Sequence, residues 1–201
     1  MQLDPQELSV RQTYAWMIHL ITPRPIAWVS SVSAGGIVNL APFSFFNGVG
    51  ANPPTIMFCP ANRRDGRPKD TLVNIEQTGQ FVVNLVTDAV VEAMNLTAGE
   101  YEPDVDEFEV ASLKAEPSAR VSPPRVAACS AALECELVQT IHVGTGPGGA
   151  NMVIGRIVWI HVDDQVIRDG KIDAQLFRTV GRMGGAGYVR TTDQFELPRP
   201  K

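Results

Sequence analysis

The chain has 201 residues, with 17 basic against 22 acidic side chains and a formal net charge of -5; that balance and a pI near 5.2 argue against broad binding to a nucleic-acid backbone. Hydrophobic content of 44%, charged content of 19% and a mean hydropathy near zero exclude a disordered or fibrous chain. No apolar run reaches the roughly 18 residues of a membrane span, and the start MQLDPQELSVRQ lacks the basic-then-apolar order of a secretory signal, so a cytoplasmic location is expected.

No fixed-period repeat, low-complexity tract or long polar linker divides the chain, and a single domain over residues 1–201 is expected. In IAWVSSVS, residues 26–33, Ile26, Trp28, Ser30 and Val32 share one face of a strand. Ala34-Gly35-Gly36 supplies a turn, and residues 37–40 return as the hairpin partner. NLAPFSFFNGVGANPP, residues 39–54, is too broken for a helix and unusually aromatic for a surface loop. It reads either as plain core or as the wall of a ligand site.

TIMFC at 55–59 and FVVNLV at 81–86 have the composition of short buried strands. Between them, Asp70 as cap, Leu72 and Ile75 three apart, and Gly79 as stop predict a short helix. A second helix is expected over roughly 88–97, capped by Asp88, with Val91 and Met94 on one face. Four prolines make residues 98–130 irregular. In 131–138 the apolar Ala131, Leu133, Cys135 and Leu137 alternate with Glu134 and Glu136, the pattern of a half-buried strand. MVIGRIVWIHV at 152–162 is apolar on both faces and predicts a strand covered on one side by the interior and on the other by a second layer or subunit. Many strands with two short helices point to a mainly β (α+β) fold, a closed barrel with helical decoration.

Two glycine-rich stretches carry no nucleotide motif. GTGPGG at 144–149 lacks the GxGxxG spacing and a following helix, so it reads as a hairpin connection, and GRMGGAGY at 181–188 is no Walker loop. Cys59, Cys129 and Cys135 form neither a CxxC pair nor an even framework, so free thiols and no metal site are expected.

Residues 62–71, NRRDGRPKDT, are basic in an acidic protein. Arg63, Arg64, Arg67 and Lys69 run up to the start of the first expected helix, whose N-terminal amides and dipole attract anions. The stretch reads either as a solvated charged loop or as a phosphate site built from Thr71 and one or two of these cations, with Asp70 in the capping position beside it. Backbone after Asn39, the Ser44 hydroxyl and the flanks of Phe43 and Phe46 suit a planar heterocycle. A flat ring beside one segment and a phosphate beside the other describe a mononucleotide.

The ordered set PRPIAWVSSV (23–32), NLAPFSFFNGV (39–49), NPPTIMF (52–58), KDTLVNI (69–75), FVVNLV (81–86), DEF (106–108), ECEL (134–137) and VIGRIVWIHVDD (153–164) resembles the flavin reductase-like family of FMN-binding split barrels, over roughly residues 20–190. The resemblance implies a Greek-key antiparallel split β-barrel with short helices that holds FMN noncovalently, as a homodimer with flavin sites near the subunit interface. Carried over by position, Asn39, Ala41, Pro42, Phe43 and Ser44 border the isoalloxazine ring, with Cys59, Pro60 and Ala61 on the neighbouring segment and Lys69, Asp70 and Thr71 by the phosphate. Arg63 is added from its charge and position, with Arg64 or Arg67 as substitutes.

No Ser-His-Asp set can be assigned, as befits chemistry carried by a flavin. The expected activity is FMN-dependent oxidoreduction with NADH or NADPH as hydride donor and onward electron transfer to an acceptor, for which an oxygenase or another protein is a candidate. The alternative is a flavoredoxin-like electron carrier with no nicotinamide site of its own; a third reading is a pyridoxamine-phosphate-oxidase-like barrel with another ligand. His142, before the glycine loop, and Arg182, in the late glycine-rich stretch with Tyr188, are the candidates near a nicotinamide. His161 reads as a packed or rim histidine, and His19 carries less still.

Overall fold

The structure is a computed structural model that describes residues 1–200. In chain order it contains α1 (Val10–Leu20), β1 (Ala27–Val32), β2 (Val38–Phe43), β3 (Phe46–Ala51), β4 (Pro54–Phe58), α2 (Asp70–Thr78), β5 (Gln80–Leu85), α3 (Val91–Leu96) and α4 (Glu107–Val110). The two-residue strands β6 (Ala115–Glu116) and β7 (Arg125–Val126) follow, then the long β8 (Ala131–Val143) and β9 (Ala150–Val162). The chain finishes with β10 (Ile167–Arg168), β11 (Lys171–Ile172), α5 (Ala174–Phe177), β12 (Val180–Arg182) and β13 (Tyr188–Arg190).

Seven antiparallel strands form the main sheet in the order β2-β1-β5-β8-β9-β4-β3. Its two edge strands, β2 and β3, are separated in sequence only by Ser44 and Phe45. Two edges joined by so short a turn force the sheet to curl until they meet, which is barrel closure. Among the described residues no ladder joins β2 to β3, so the barrel is split along that seam.

The interior is filled by Val29, Phe58, Phe81, Val83 and Val153, all fully buried, with Leu72 and Ile75 of α2 closing one side. Phe43, Phe58 and Phe81 stack in succession, with ring centroids 5.2 and 5.5 Å apart. On the opposite face of β1, Trp28 and Leu40 pack with Met94 of α3 and Phe108 of α4. The Trp28 indole donates to Thr97 Oγ1 at 2.8 Å.

Several local expectations are corrected. Residues 10–20, for which no element is expected, form a helix with a capping box in which Ser9 accepts from the Gln12 amide and the Gln12 side chain accepts from the Ser9 amide. Asp70 does not cap α2; Lys69 holds that position without a side-chain cap, while Gly79 ends the helix in the left-handed conformation as expected. Asp88 does not cap α3, which begins later. Its carboxylate accepts from Arg190 Nε at 2.8 and 2.9 Å and from Arg178 Nη2 at 3.0 Å, which holds it below the usual carboxylate range.

Glu134 is not on a solvated face: it is fully buried, accepting from the amides of Ala119 at 2.7 Å and Arg120 at 2.6 Å and from His161 Nε2 at 2.5 Å. Burial pushes its pKa up, but these three donors outweigh that and leave it below the ordinary value. His161 is thereby a rim histidine tied to the core. Toward the C-terminal end of β9 neither face is fully covered by the described residues, because the adjacent Trp159 and Ile160, which point to opposite sides of the strand, stay 41% and 57% exposed. Among the described residues no helix is long and apolar enough to cross a membrane.

Candidate functional site

A cleft of about 280 Å³ opens beside the barrel seam. Ala41, Pro42 and Phe43 from the end of β2 and the Ser44–Phe45 turn form one wall, and Cys59, Ala61, Asn62, Arg63, Arg64 and Lys69 form the other. Tyr14 of α1 and the turn Thr97–Glu100 after α3 complete it. A recess of about 30 Å³ adjoins it, shares Ala41, Arg63, Lys69, Gly99 and Glu100 with it, and adds Asn39, Asp70, Thr71, Tyr101 and Glu107. The two segments singled out from sequence, 39–44 and 59–71, thus face a common cavity.

The geometry follows from local chemistry. β2 runs to Phe43, the chain turns through Ser44 and Phe45, and the Phe45 carbonyl accepts from the Cys59 amide at 2.8 Å, fastening the turn to the segment after β4. Asn62 is held by its amide on Gly149 O at 2.8 Å and its Nδ2 on Gly146 O at 3.0 Å. The 144–149 loop is therefore a buttress for the cleft wall. Asn151, nearly fully buried, donates to Asn62 Oδ1 at 2.8 Å and to Pro60 O at 3.1 Å. Pro60 lines neither the cleft nor the recess, and its carbonyl is spent on Asn151.

At the basic end, Arg63 pairs with Asp70 and Arg67 with Asp65. Among the described residues Arg64 and Lys69 have no ion-pair partner, and both line the cleft. The first turn of α2 offers its amides there without a capping side chain. The Thr71 hydroxyl is not turned toward this end. It is 1% exposed and donates to Asn39 Oδ1 at 2.6 Å. Asn39 Nδ2 in turn donates to Glu107 Oε1 at 2.7 Å, and the Leu40 amide donates to Glu107 Oε2 at 2.8 Å. Burial raises the Glu107 pKa above the ordinary value, against the pull of those donors.

At the apolar end, the edge of Tyr14 approaches Phe45, with centroids 6.3 Å apart. Behind the Ser44–Phe45 turn lies Arg24, 4% exposed, with its guanidinium 5.9 Å from the Phe45 centroid. Sequence reasoning missed Tyr14, Phe45, Arg24 and the 97–100 turn. Tyr14 sits on the unpredicted helix, Phe45 lies in the aromatic 39–54 stretch, which does not show which ring faces the cleft, and Arg24 and the 97–100 turn carry no local signal of a role there.

His142 lies outside the cleft: its Nδ1 donates to Asn151 Oδ1 at 2.7 Å and its Nε2 lies 3.4 Å from Glu76. Arg182 lines a separate surface groove of about 710 Å³ between α3 and the β12–β13 turn, stacked 4.5 Å over Tyr188. His19 donates from Nδ1 to Ala15 O at 2.6 Å and packs against Gly184, where an added Cβ would meet its ring at 2.3 Å. All three cysteines are free; Cys129 is buried and its thiol pushed up to about 12, whereas Cys59 is half-exposed in the cleft with its pKa raised by partial desolvation. Among the described residues no cluster of side chains has the makings of a metal site.

Comparison with known proteins agrees with this architecture. The family model described as the flavin reductase like domain matches residues 19–176. An uncharacterized protein of Halalkalibacterium halodurans is 40% identical over 203 residues, covering 100% of this chain and 97% of that protein. The crystal structure of nitrilotriacetate monooxygenase component B from Bacillus cereus superposes with a TM-score of 0.93 at 35% identity, covering 98% of each chain. That of the Pseudomonas fluorescens 2-nitrobenzoate 2-nitroreductase does so with a TM-score of 0.89 at 32% identity, covering 100% of this chain and 96% of that one. The chain belongs to the flavin reductase-like family and has its split-barrel fold.

Proposed function

We propose that the protein, acting as one domain, is an FMN-binding oxidoreductase that takes hydride from NADH or NADPH and passes electrons to an acceptor. The observation that carries this reading is the common cleft, apolar at the Phe43–Phe45 end and cationic at Arg64 and Lys69. Its donor set fits FMN: an uncapped helix N-terminus with two unpaired cations suits a phosphate dianion, and a wall of Ala41, Pro42 and aromatic side chains suits a flat ring. When bound, the flavin supplies the hydride-accepting ring and the route by which electrons leave.

The chain's own residues bind and orient. Lys69, Arg64 and the first amides of α2 hold the anionic end, and the Asn39–Thr71 bond fixes β2 against α2 so that both ends keep their spacing. Ser44 faces the ring end, and the exposed lip of the cleft admits the second substrate. With His142 outside the cleft and bonded to Asn151, no side chain is assigned to proton transfer. The exposed Val138, Ile141 and Val143 of β8 support a homodimer, whose second subunit would cover this face. The relationship to a monooxygenase component supports an oxygenase or another protein as acceptor.

The test is the absorbance spectrum of the purified protein after incubation with FMN, then anaerobic addition of NADH or NADPH. A yellow protein bleached by either nucleotide supports the reductase. A yellow protein that stays oxidised until a donor protein is added supports the electron carrier, and a protein that stays colourless overturns the flavin reading.

A further inference from the structure

Arg24 stands between Pro23 and Pro25, just before β1, and it is buried although among the described residues no carboxylate bonds it. Nη1 donates to Ile18 O at 2.7 Å and Ile21 O at 2.6 Å, Nη2 to Met183 O at 3.0 Å, and Nε to Ser44 Oγ at 3.4 Å. Its backbone also pairs with Arg182, amide to carbonyl in both directions, at 3.0 and 2.8 Å. One side chain thus ties the end of α1, the β12–β13 turn and the ring-end turn of the cleft.

A tether of this kind does not need a charge, and a buried cation without a counter-ion is costly. Guanidinium stays protonated in proteins, so the charge is permanent. The carbonyls at the C-terminal end of α1 offset part of it through their dipoles. The remainder lies one side-chain layer behind Ser44 and Phe45, in a low-dielectric surround where a charge acts over a longer distance than in water. Among the described residues no carboxylate lies within ion-pair distance of it, and the titratable side chains Tyr14 and Arg182 that act on it carry no negative charge at neutral pH.

We infer that Arg24 is a positioning residue whose uncompensated charge, held behind the Ser44–Phe45 turn, favours the reduced state of the bound flavin. The inference rests on the FMN reading above. Transfer of a hydride breaks the C–H bond of NAD(P)H, releases NAD(P)⁺, and brings two electrons and one proton to the flavin, which leaves the ring system one negative charge richer. A fixed cation behind the wall stabilises that product over the oxidised, neutral ring. Because the interaction is electrostatic, charge at position 24 matters more than the guanidinium fork.

The experiment measures the two-electron potential of bound FMN, against a reference dye, in the wild type, Arg24→Lys and Arg24→Gln. Arg24→Gln is expected to lower the preference for reduced over oxidised FMN about tenfold, or about 30 mV for a two-electron couple, whereas Arg24→Lys stays near the wild type. A purely structural tether would weaken FMN binding in both variants alike and leave the potential unmoved; equal potentials in the wild type and Arg24→Gln overturn the inference. Should the glutamine variant fail to fold, wild-type protein is titrated with 8-hydroxy-FMN, whose ring hydroxyl ionises. A bound hydroxyl that ionises at lower pH than in the free analogue supports the role, and one that ionises at the same or higher pH overturns it. Wild-type protein that takes up no FMN sinks the flavin reading itself, so the two failures are told apart.

Discussion

The Thr71 hydroxyl donates to the Asn39 carboxamide oxygen across 2.6 Å, joining the first turn of α2 to β2 inside the protein instead of reaching into the cleft. Thr71→Val leaves Asn39 Oδ1 only the long 3.4 Å bond from Ser31 Oγ. The expected cost is about 1 kcal/mol of stability. In thermal denaturation that lowers Tm by roughly 2–4 °C. Affinity for FMN and for riboflavin should fall by the same factor, because the two walls lose their spacing while the cations stay. A loss confined to FMN would show that the hydroxyl meets the phosphate directly.

Lys69→Ala and Arg64→Ala have the opposite signature. Each removes a cation without a carboxylate partner, and only FMN carries the terminal charge that would notice. Well-placed charge-assisted contacts predict a roughly tenfold to hundredfold loss of FMN affinity with little change for riboflavin, measured by flavin fluorescence quenching. Arg63→Ala should weaken FMN as well, since it frees the Asp70 carboxylate at the helix start. Restoring neutrality with Asp70→Asn in the same protein is expected to recover part of that loss.

Gly155→Ala probes the core. A Cβ at this position on β9 would sit 2.3 Å from Cζ of the fully buried Phe81 and 3.4 Å from Cβ of Cys135. Phe81 is fully buried and packs against Phe58, with ring centroids 5.5 Å apart, so relief requires the core around it to shift. Overpacking of this kind is expected to cost about 1–3 kcal/mol, read as a lower denaturant midpoint at unchanged slope.

Glu134→Gln removes the charge that accepts from Ala119, Arg120 and His161, and turns an amide group toward one of those donors. A loss of about 1–3 kcal/mol is expected at neutral pH. The native carboxyl ionises below its unfolded value, so its contribution is complete above the unfolded pKa and is lost as pH falls through the native one. The stability gap between wild type and variant should therefore close on acidification below about pH 4. A gap that holds constant to lower pH would remove the charge from the account.

Much of this was legible from the residues themselves. The hairpin around 27–43, the strands at 55–58 and 81–85, and the helix ending at Gly79 follow from alternation, stop residues and the ordered resemblance. Orientation was harder to read. Alternating Leu133, Glu134, Cys135 and Glu136 imply an exposed carboxylate at 134, yet His161 and the 119–120 amides supply a buried partner set that no local pattern encodes. Asp70 and Asp88 precede helical stretches and look like caps, but arginines nearby or far along the chain capture both. The N-terminal helix did carry a signal, the Ser9–Gln12 spacing, while burying only Ile18. Arg24 left no trace at all, because its partners come from positions 18, 21, 44 and 183.

The pairing of β4 with β9, Phe58 opposite Val153, has a consequence for how the molecule is made. During synthesis the β3–β4 hairpin emerges early and must wait, its apolar side chains unsheltered, until the strand that receives it leaves the ribosome. Non-local pairings of this kind slow folding and prolong exposure to aggregation. The seam beside the cleft is then among the last parts to be set in place, and a nascent chain interrupted before Ala150 would lack the strand on which β4 docks.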